Sequence, residues 1–198
     1  LRSPGMSDMD FDLEHRLSWF DRNHYVDGKE VTVEEKEKSG KARVSVASAD
    51  GNRLVMVNTT DKNALAYLNY RKVADGTICE LINDHEARLH LIECKKTVTE
   101  KSWRSAMMQF EGGLLNMLAV CGVLGVKKIS EVRVYTAFQA VNMNALNSRN
   151  PVSLKTPVGS RGPAAMKQWD DNQVHFQGKS FEHVRIELNA DGEGAVTI

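Results

Sequence analysis

Residues 88–97 read RLHLIECKKT. The run begins as an apolar strand, with Leu89, Leu91 and Ile92, and ends on Glu93, Lys95 and Lys96 with Cys94 among them. Side chains alternate across a strand, so Leu89, Leu91, Glu93 and Lys95 share one face. Arg88, His90, Ile92, Cys94 and Lys96 take the other. Glu93 and Lys95 therefore project side by side, roughly 7 Å apart along the backbone. An exposed Glu–Lys pair at a strand end is ordinarily a solvated ion pair worth about 0–1 kcal/mol. What surrounds this pair decides whether it is more than that.

Upstream, GTICELI (76–82) is a second apolar run, separated from the first by NDHEA (83–87). The two predict an antiparallel hairpin with its turn centred near residue 85, which sets Glu93 opposite about residue 77. Asp75 then lies at the Glu93–Lys95 end. Asp84 sits in the turn, roughly 30 Å from Glu93 along an extended strand. Downstream, Thr97-Val-Thr-Glu100 reads as a capping box that opens a helix running to about residue 124. Trp103, Met107, Phe110, Leu114, Leu118 and Cys121 recur at three- and four-residue steps, which gives the helix one face for packing on a sheet. Gly112 and Gly113 within it each cost about 1 kcal/mol relative to alanine. A kink and a close backbone approach both account for them. EVRVYTAF (131–138) is a further buried strand.

Asp75-Gly76, an apolar strand, a short turn, a second strand and Glu-x-Lys stand together in ADGTICELINDHEARLHLIECKK (74–96). This stretch resembles the PD-(D/E)XK nuclease superfamily, with Asp75, Glu93 and Lys95 as the matching residues. That superfamily follows its Glu-x-Lys strand with a helix and another strand, as at 99–124 and 131–138, so the resemblance covers about residues 61–138. Ala74 stands where many members carry proline. The resemblance implies an α/β fold, a central mixed β-sheet flanked by helices with a restriction-endonuclease-like core. It implies a metal-dependent nuclease that hydrolyses phosphodiester bonds, with DNA favoured over RNA. Asp75, Glu93 and the Cys94 main-chain carbonyl would hold Mg²⁺ or Mn²⁺, and Lys95 would assist the attacking water. Some members add a glutamate from the first helix and a glutamine from the helix after Glu-x-Lys, for which Glu14 and Gln109 are the nearest residues.

The chemistry suits those residue types. Carboxylates and a carbonyl are the hard oxygen ligands that Mg²⁺ prefers. The metal polarises a phosphate and lowers the pKa of a bound water. A lysine beside them stabilises developing negative charge. Lys96, Lys101 and Arg104 are candidates to contact phosphates near the site, and Arg149, Lys155 and Arg161, in the basic, acid-free segment 149–167, are candidates to follow a nucleic-acid backbone. The alternative reading is a non-catalytic nucleic-acid-binding or protein-interaction module on the same fold.

Across 198 residues, 26 acidic side chains balance 26 basic ones, so net charge gives no overall steer toward nucleic acid. The distribution is uneven. Residues 6–37 carry ten acids against four bases, whereas residues 132–169 carry five bases and no acid. Cys79, Cys94 and Cys121 are isolated in the sequence and odd in number, the usage of a reduced, cytoplasmic protein. No run approaches the roughly 20 apolar residues that cross a membrane, so no membrane partner is expected. The expected partners are nucleic acid and a second copy in a homodimer. No H-E-x-x-H, Gly-x-Ser-x-Gly or Walker sequence is present, which argues against zinc hydrolases, serine hydrolases of that type and P-loop enzymes.

Elsewhere, residues 12–20 predict a short helix with Leu13, Leu17 and Phe20 on one face and Asp10 or Asp12 as its cap. VEEKEKSGK (33–41) reads as a solvated link. ARVSVAS and NRLVMVN read as a hairpin through Ala49–Asn52. A short helix is expected over 60–70, and a closing hairpin over 174–188. Residues 1–5, ahead of Met6, read as an appended remnant. Residues 6–188 read as one nuclease-like domain with its core at about 61–138, and 189–198 as a mobile tail.

Overall fold

Alternation of buried and solvent-facing residues builds ten strands, and three short or long helices cover them, in a computed structural model that describes residues 12–37, 40–58, 60, 65, 68–143 and 164–198. In chain order these are α1 (Leu13–Leu17), β1 (Tyr25–Gly28), β2 (Glu30–Glu37), β3 (Gly40–Ala47), β4 (Arg53–Val57), β5 (Gly76–Leu81) and β6 (Glu86–Thr99). There follow α2 (Glu100–Leu124), β7 (Lys128–Asn142), α3 (Ala164–Asp170), β8 (Gln173–Phe176), β9 (Lys179–Glu187) and β10 (Glu193–Thr197).

The strands form two sheets. A seven-stranded mixed sheet runs β1-β4-β5-β6-β7-β9-β8, and a three-stranded sheet runs β10-β3-β2. Within the large sheet β5 runs antiparallel to both β4 and β6, while β6, β7 and β9 are parallel. The parallel step from β6 to β7 is made through α2, as a parallel pair requires a long crossover. The fold is thus mixed α/β and rich in strands.

Alternation along the central strands sends apolar side chains to both faces. Leu89, Leu91, Val134 and Phe138 join Trp103, Phe110, Leu114 and Met117 of α2 in the core on the helical side. Ile92, Cys94, Tyr135 and Ala137 face Val31, Val33, Val44 and Val46 of the small sheet. The order of layers is therefore helices, large sheet, small sheet. A central strand covered on both faces explains why β6 is buried without a break from Leu89 to Cys94. Two contacts tie α2 to α3 within the helical layer: the Trp103 indole donates to the Ala165 carbonyl at 2.9 Å, and its ring meets Trp169 edge-on.

Helix α2 starts two residues later than the sequence suggests. Thr99 is the N-cap and accepts from the Ser102 amide at 3.2 Å, while the Ser102 hydroxyl accepts from the Thr99 amide at 2.8 Å. Gly125 closes the helix in the left-handed region at φ 78°. The glycine pair is resolved in favour of close approach. A Cβ at Gly112 would lie 1.6 Å from the Lys72 carbonyl oxygen, and one at Gly113 would lie 3.2 Å from Ala74 Cβ. The helix therefore rests directly on the backbone leading into Asp75. Leu118, expected on the buried face, is 42% exposed, and Met117 is buried instead.

Four other expectations change. Within the expected link, residues 33–37 belong to β2 and residues 40–41 begin β3, and these two strands pair with each other. The predicted β3–β4 hairpin does not form: β3 lies between β2 and β10, whereas β4 lies between β1 and β5. The Asp50-Gly51 bend, with Gly51 at φ 70°, carries the chain from one sheet to the other. The tail is not mobile, since β10 runs parallel to β3 and Ile198 exchanges backbone hydrogen bonds with Ala47 and Ala49. The helix expected over 60–70 falls largely outside the described residues, and Leu68–Tyr70 within it are not helical. The closing hairpin is present as β8–β9, turning through Gln177 and Gly178 at φ 50° and 70°. By length and composition alone α2 could cross a membrane, but its buried face is the cover of the large sheet.

Candidate metal centre

The hairpin β5–β6 pairs Gly76 with Ile92 and Thr77 with Leu91. Continuing that register by one residue sets Asp75 opposite Glu93, two positions nearer than a turn at residue 85 would give. The turn is centred one residue earlier, because the Asn83 side chain accepts from the His85 and Glu86 amides and tightens it. The two acids are tied by reciprocal contacts. The Cys94 amide donates to Asp75 Oδ2 at 2.8 Å, and the Asp75 amide donates to Glu93 Oε2 at 3.3 Å. Lys95 Nζ donates to Glu93 Oε1 in an ion pair.

A third carboxylate comes from the small sheet. Val33 of β2 packs so closely on Gly76 that a Cβ there would lie 2.3 Å from Val33 Cγ2. Glu35 is two residues further along the same face of β2, so it arrives over Asp75. One carboxylate oxygen each from Glu35 and Asp75, together with Cys94 Sγ, lie within 4.8 Å of one another. Glu35 was missed from the sequence because it sits in the run VEEKEKSGK, which resembles a solvated segment. The only signal available was the alternation of Val31, Val33 and Glu35.

The electrostatics follow from this crowding. Glu93 is fully buried, and burial raises its pKa well above the usual carboxylate range; the Asp75 charge adds to the rise, and Lys95 opposes it. Burial pulls the Lys95 ammonium down, but the Glu93, Asp75 and Glu35 charges more than offset it and leave its pKa raised. Three carboxylates converge with one lysine, an excess of negative charge that a divalent cation would relieve. Burial and the same carboxylates push the Cys94 thiol up, so it stays protonated near neutral pH and is a weak ligand there. The donors that remain are carboxylate oxygens, the ligand type that suits Mg²⁺ or Mn²⁺.

The remaining candidates divide. Gln109 reaches the approach to the site, donating to the Val73 carbonyl at 3.4 Å and accepting from Ser105 at 3.3 Å. Glu14 does not belong to it. Its carboxylate pairs with Arg53, which is registered with Leu81 at the far end of β5, roughly 17 Å from Gly76 by strand rise. Arg104 is engaged by Glu100 at 2.8 Å, while Lys96 and Lys101 are exposed near the start of α2. Arg149, Lys155 and Arg161 lie outside the described residues. No family model, curated protein or solved structure matches this chain.

Proposed function

We propose that this protein is a Mg²⁺- or Mn²⁺-dependent nuclease acting on phosphodiester bonds, with DNA favoured over RNA. The observation that carries the reading is the union of Asp75 and Glu93 just beyond the Gly76–Ile92 pair that opens the β5–β6 register, with Lys95 on Glu93. The strand order β4-β5-β6-β7, antiparallel at first and parallel at the last step through α2, supports a restriction-endonuclease-like core. Glu35, Asp75, Glu93 and the Cys94 carbonyl are the residues that would hold the ion. When bound, the metal would polarise the scissile phosphate and generate hydroxide near neutral pH.

The chain's own residues supply the rest. Burial between two cores fixes β6, so Glu93 and Lys95 are presented on a rigid element. Lys95 keeps its positive charge because of the carboxylates around it, and that charge stabilises negative charge growing on a phosphate oxygen. Asp75 accepts from a main-chain amide of the partner strand, which helps to orient its carboxylate.

Calorimetric titration with Mn²⁺ tests the reading directly. Binding to the native protein that is lost in both Asp75→Asn and Glu93→Gln supports it. Absence of binding by the native protein points to the non-catalytic module.

A further inference from the structure

Outside the candidate metal centre, Cys79 of β5 and Cys121 in the last turns of α2 meet in the helical-side core, with their sulfurs 3.9 Å apart. Cys79 is fully buried and Cys121 is 3% exposed. The helix is open just beyond them: Gly122 and Val123 are exposed, and a Cβ at Gly122 would meet nothing within 4 Å. Closing the pair to a disulfide bond of about 2.0 Å requires a movement of about 2 Å, within reach of side-chain rotation and slight settling of a helix end. We propose that Cys79 and Cys121 are a peroxide-responsive pair, forming a reversible disulfide that staples the C-terminal part of α2 to β5.

Position assigns the roles. Either sulfur can donate in the Cys79–Cys121 contact, but Cys121 lies beside the exposed Gly122 and Val123, whereas Cys79 is enclosed within β5. Cys121 is therefore the sulfur that a peroxide reaches first, and the attacking one. Its thiolate attacks a peroxide oxygen, the O–O bond breaks, and a sulfenic acid and water result. The Cys79 sulfur then attacks the Cys121 sulfur, the S–O bond breaks, the S–S bond forms, and a second water leaves carrying the Cys79 proton. In total two thiols lose two electrons and two hydrogens, and one peroxide becomes two waters. The third cysteine, Cys94, belongs to the other core cluster and has no part in this step.

The test treats the reduced full chain with hydrogen peroxide, quenches it, alkylates it after denaturation and maps the peptides by mass spectrometry. The expected result is a Cys79–Cys121 cross-linked peptide, Cys94 as the alkylated cysteine, and a melting temperature raised by roughly 5–10 °C that dithiothreitol reverses. Three alkylatable thiols after prolonged exposure would overturn the proposal. So would oxygen addition at single cysteines without the cross-link. Cys121→Ser serves as the control, since a fully buried Cys79→Ser risks misfolding; a cross-link to Cys79 that persists in Cys121→Ser also overturns it.

Discussion

Adding one methyl group at Gly112 should destabilise the protein, although the same change elsewhere on the same helix should stabilise it. In an open helix, Gly→Ala gains about 0.5–1 kcal/mol from propensity and chain entropy. Gly122 is such a position, with nothing within 4 Å of its would-be Cβ. At Gly112 the new Cβ would lie 1.6 Å from the Lys72 carbonyl oxygen and 2.7 Å from its carbon. Both are backbone atoms, so no side chain can swing aside, and α2 or the strand approach must shift. Overpacking of this kind costs about 1–3 kcal/mol. Set against the propensity gain, Gly112→Ala should lose about 1–2 kcal/mol, or about 2–8 °C in melting temperature for a chain of this size. Gly122→Ala should rise by about 1–4 °C on the same scale. Thermal and urea unfolding of the two variants measures both signs. Because Lys72 leads through Ala74 into Asp75, Gly112→Ala should also weaken Mn²⁺ binding while Gly122→Ala leaves it unchanged. A Gly112→Ala protein as stable as Gly122→Ala would refute the close-approach explanation of the glycine pair.

Three further outcomes are expected. Truncation before Glu193 removes β10 and uncovers Val46, Ile186 and Leu188, with a loss of about 2–4 kcal/mol in urea unfolding; an unchanged midpoint would return the tail to a mobile appendage. Glu35→Gln should weaken Mn²⁺ binding about 10–100-fold by calorimetry, whereas Glu14→Ala should leave it unchanged and cost under about 1 kcal/mol, because its Arg53 pair is exposed and remote. His183 is buried between Trp103 and Trp169, and burial, aided by Arg185, lowers its pKa from 6.5 to about 3. Its neutral form is favoured on folding, so its contribution is complete above pH 6.5 and is lost as pH falls toward 3. The slope is about 1.4 kcal/mol per pH unit, and stability curves for His183→Gln should lack that component.

Much of this arrangement is legible in the sequence because local signals and burial agree. RLHLIECK and GTICELI alternate, are bounded by turn residues, and have one sensible pairing, so the hairpin and the neighbourhood of Asp75 and Glu93 follow. The two-residue error in register has a local cause, the Asn83 turn, which composition alone does not place. Partner choice between sheets is not written in local pattern. ARVSVAS and NRLVMVN alternate as a hairpin would, yet Gly51 turns the chain between layers and each strand pairs elsewhere. Glu35 was hidden for the same reason: an edge strand with charged outward residues reads as a solvated link until Val33 is seen against Gly76. Glu14 shows the opposite failure, a residue type that fits a role while its helix lies at the wrong end of the sheet.

The central claim is that the Asp75–Glu93–Lys95 arrangement performs metal-dependent phosphodiester hydrolysis. The most direct measurement is a cleavage panel on single-stranded, duplex and branched DNA and on RNA, with Mg²⁺, with Mn²⁺ and with chelator. The native protein and a folded Lys95→Ala variant should be run side by side. Cleavage by the native protein that requires the metal and disappears in Lys95→Ala is the expected result. Cleavage that survives Lys95→Ala, or no cleavage of any substrate with either metal, would contradict it.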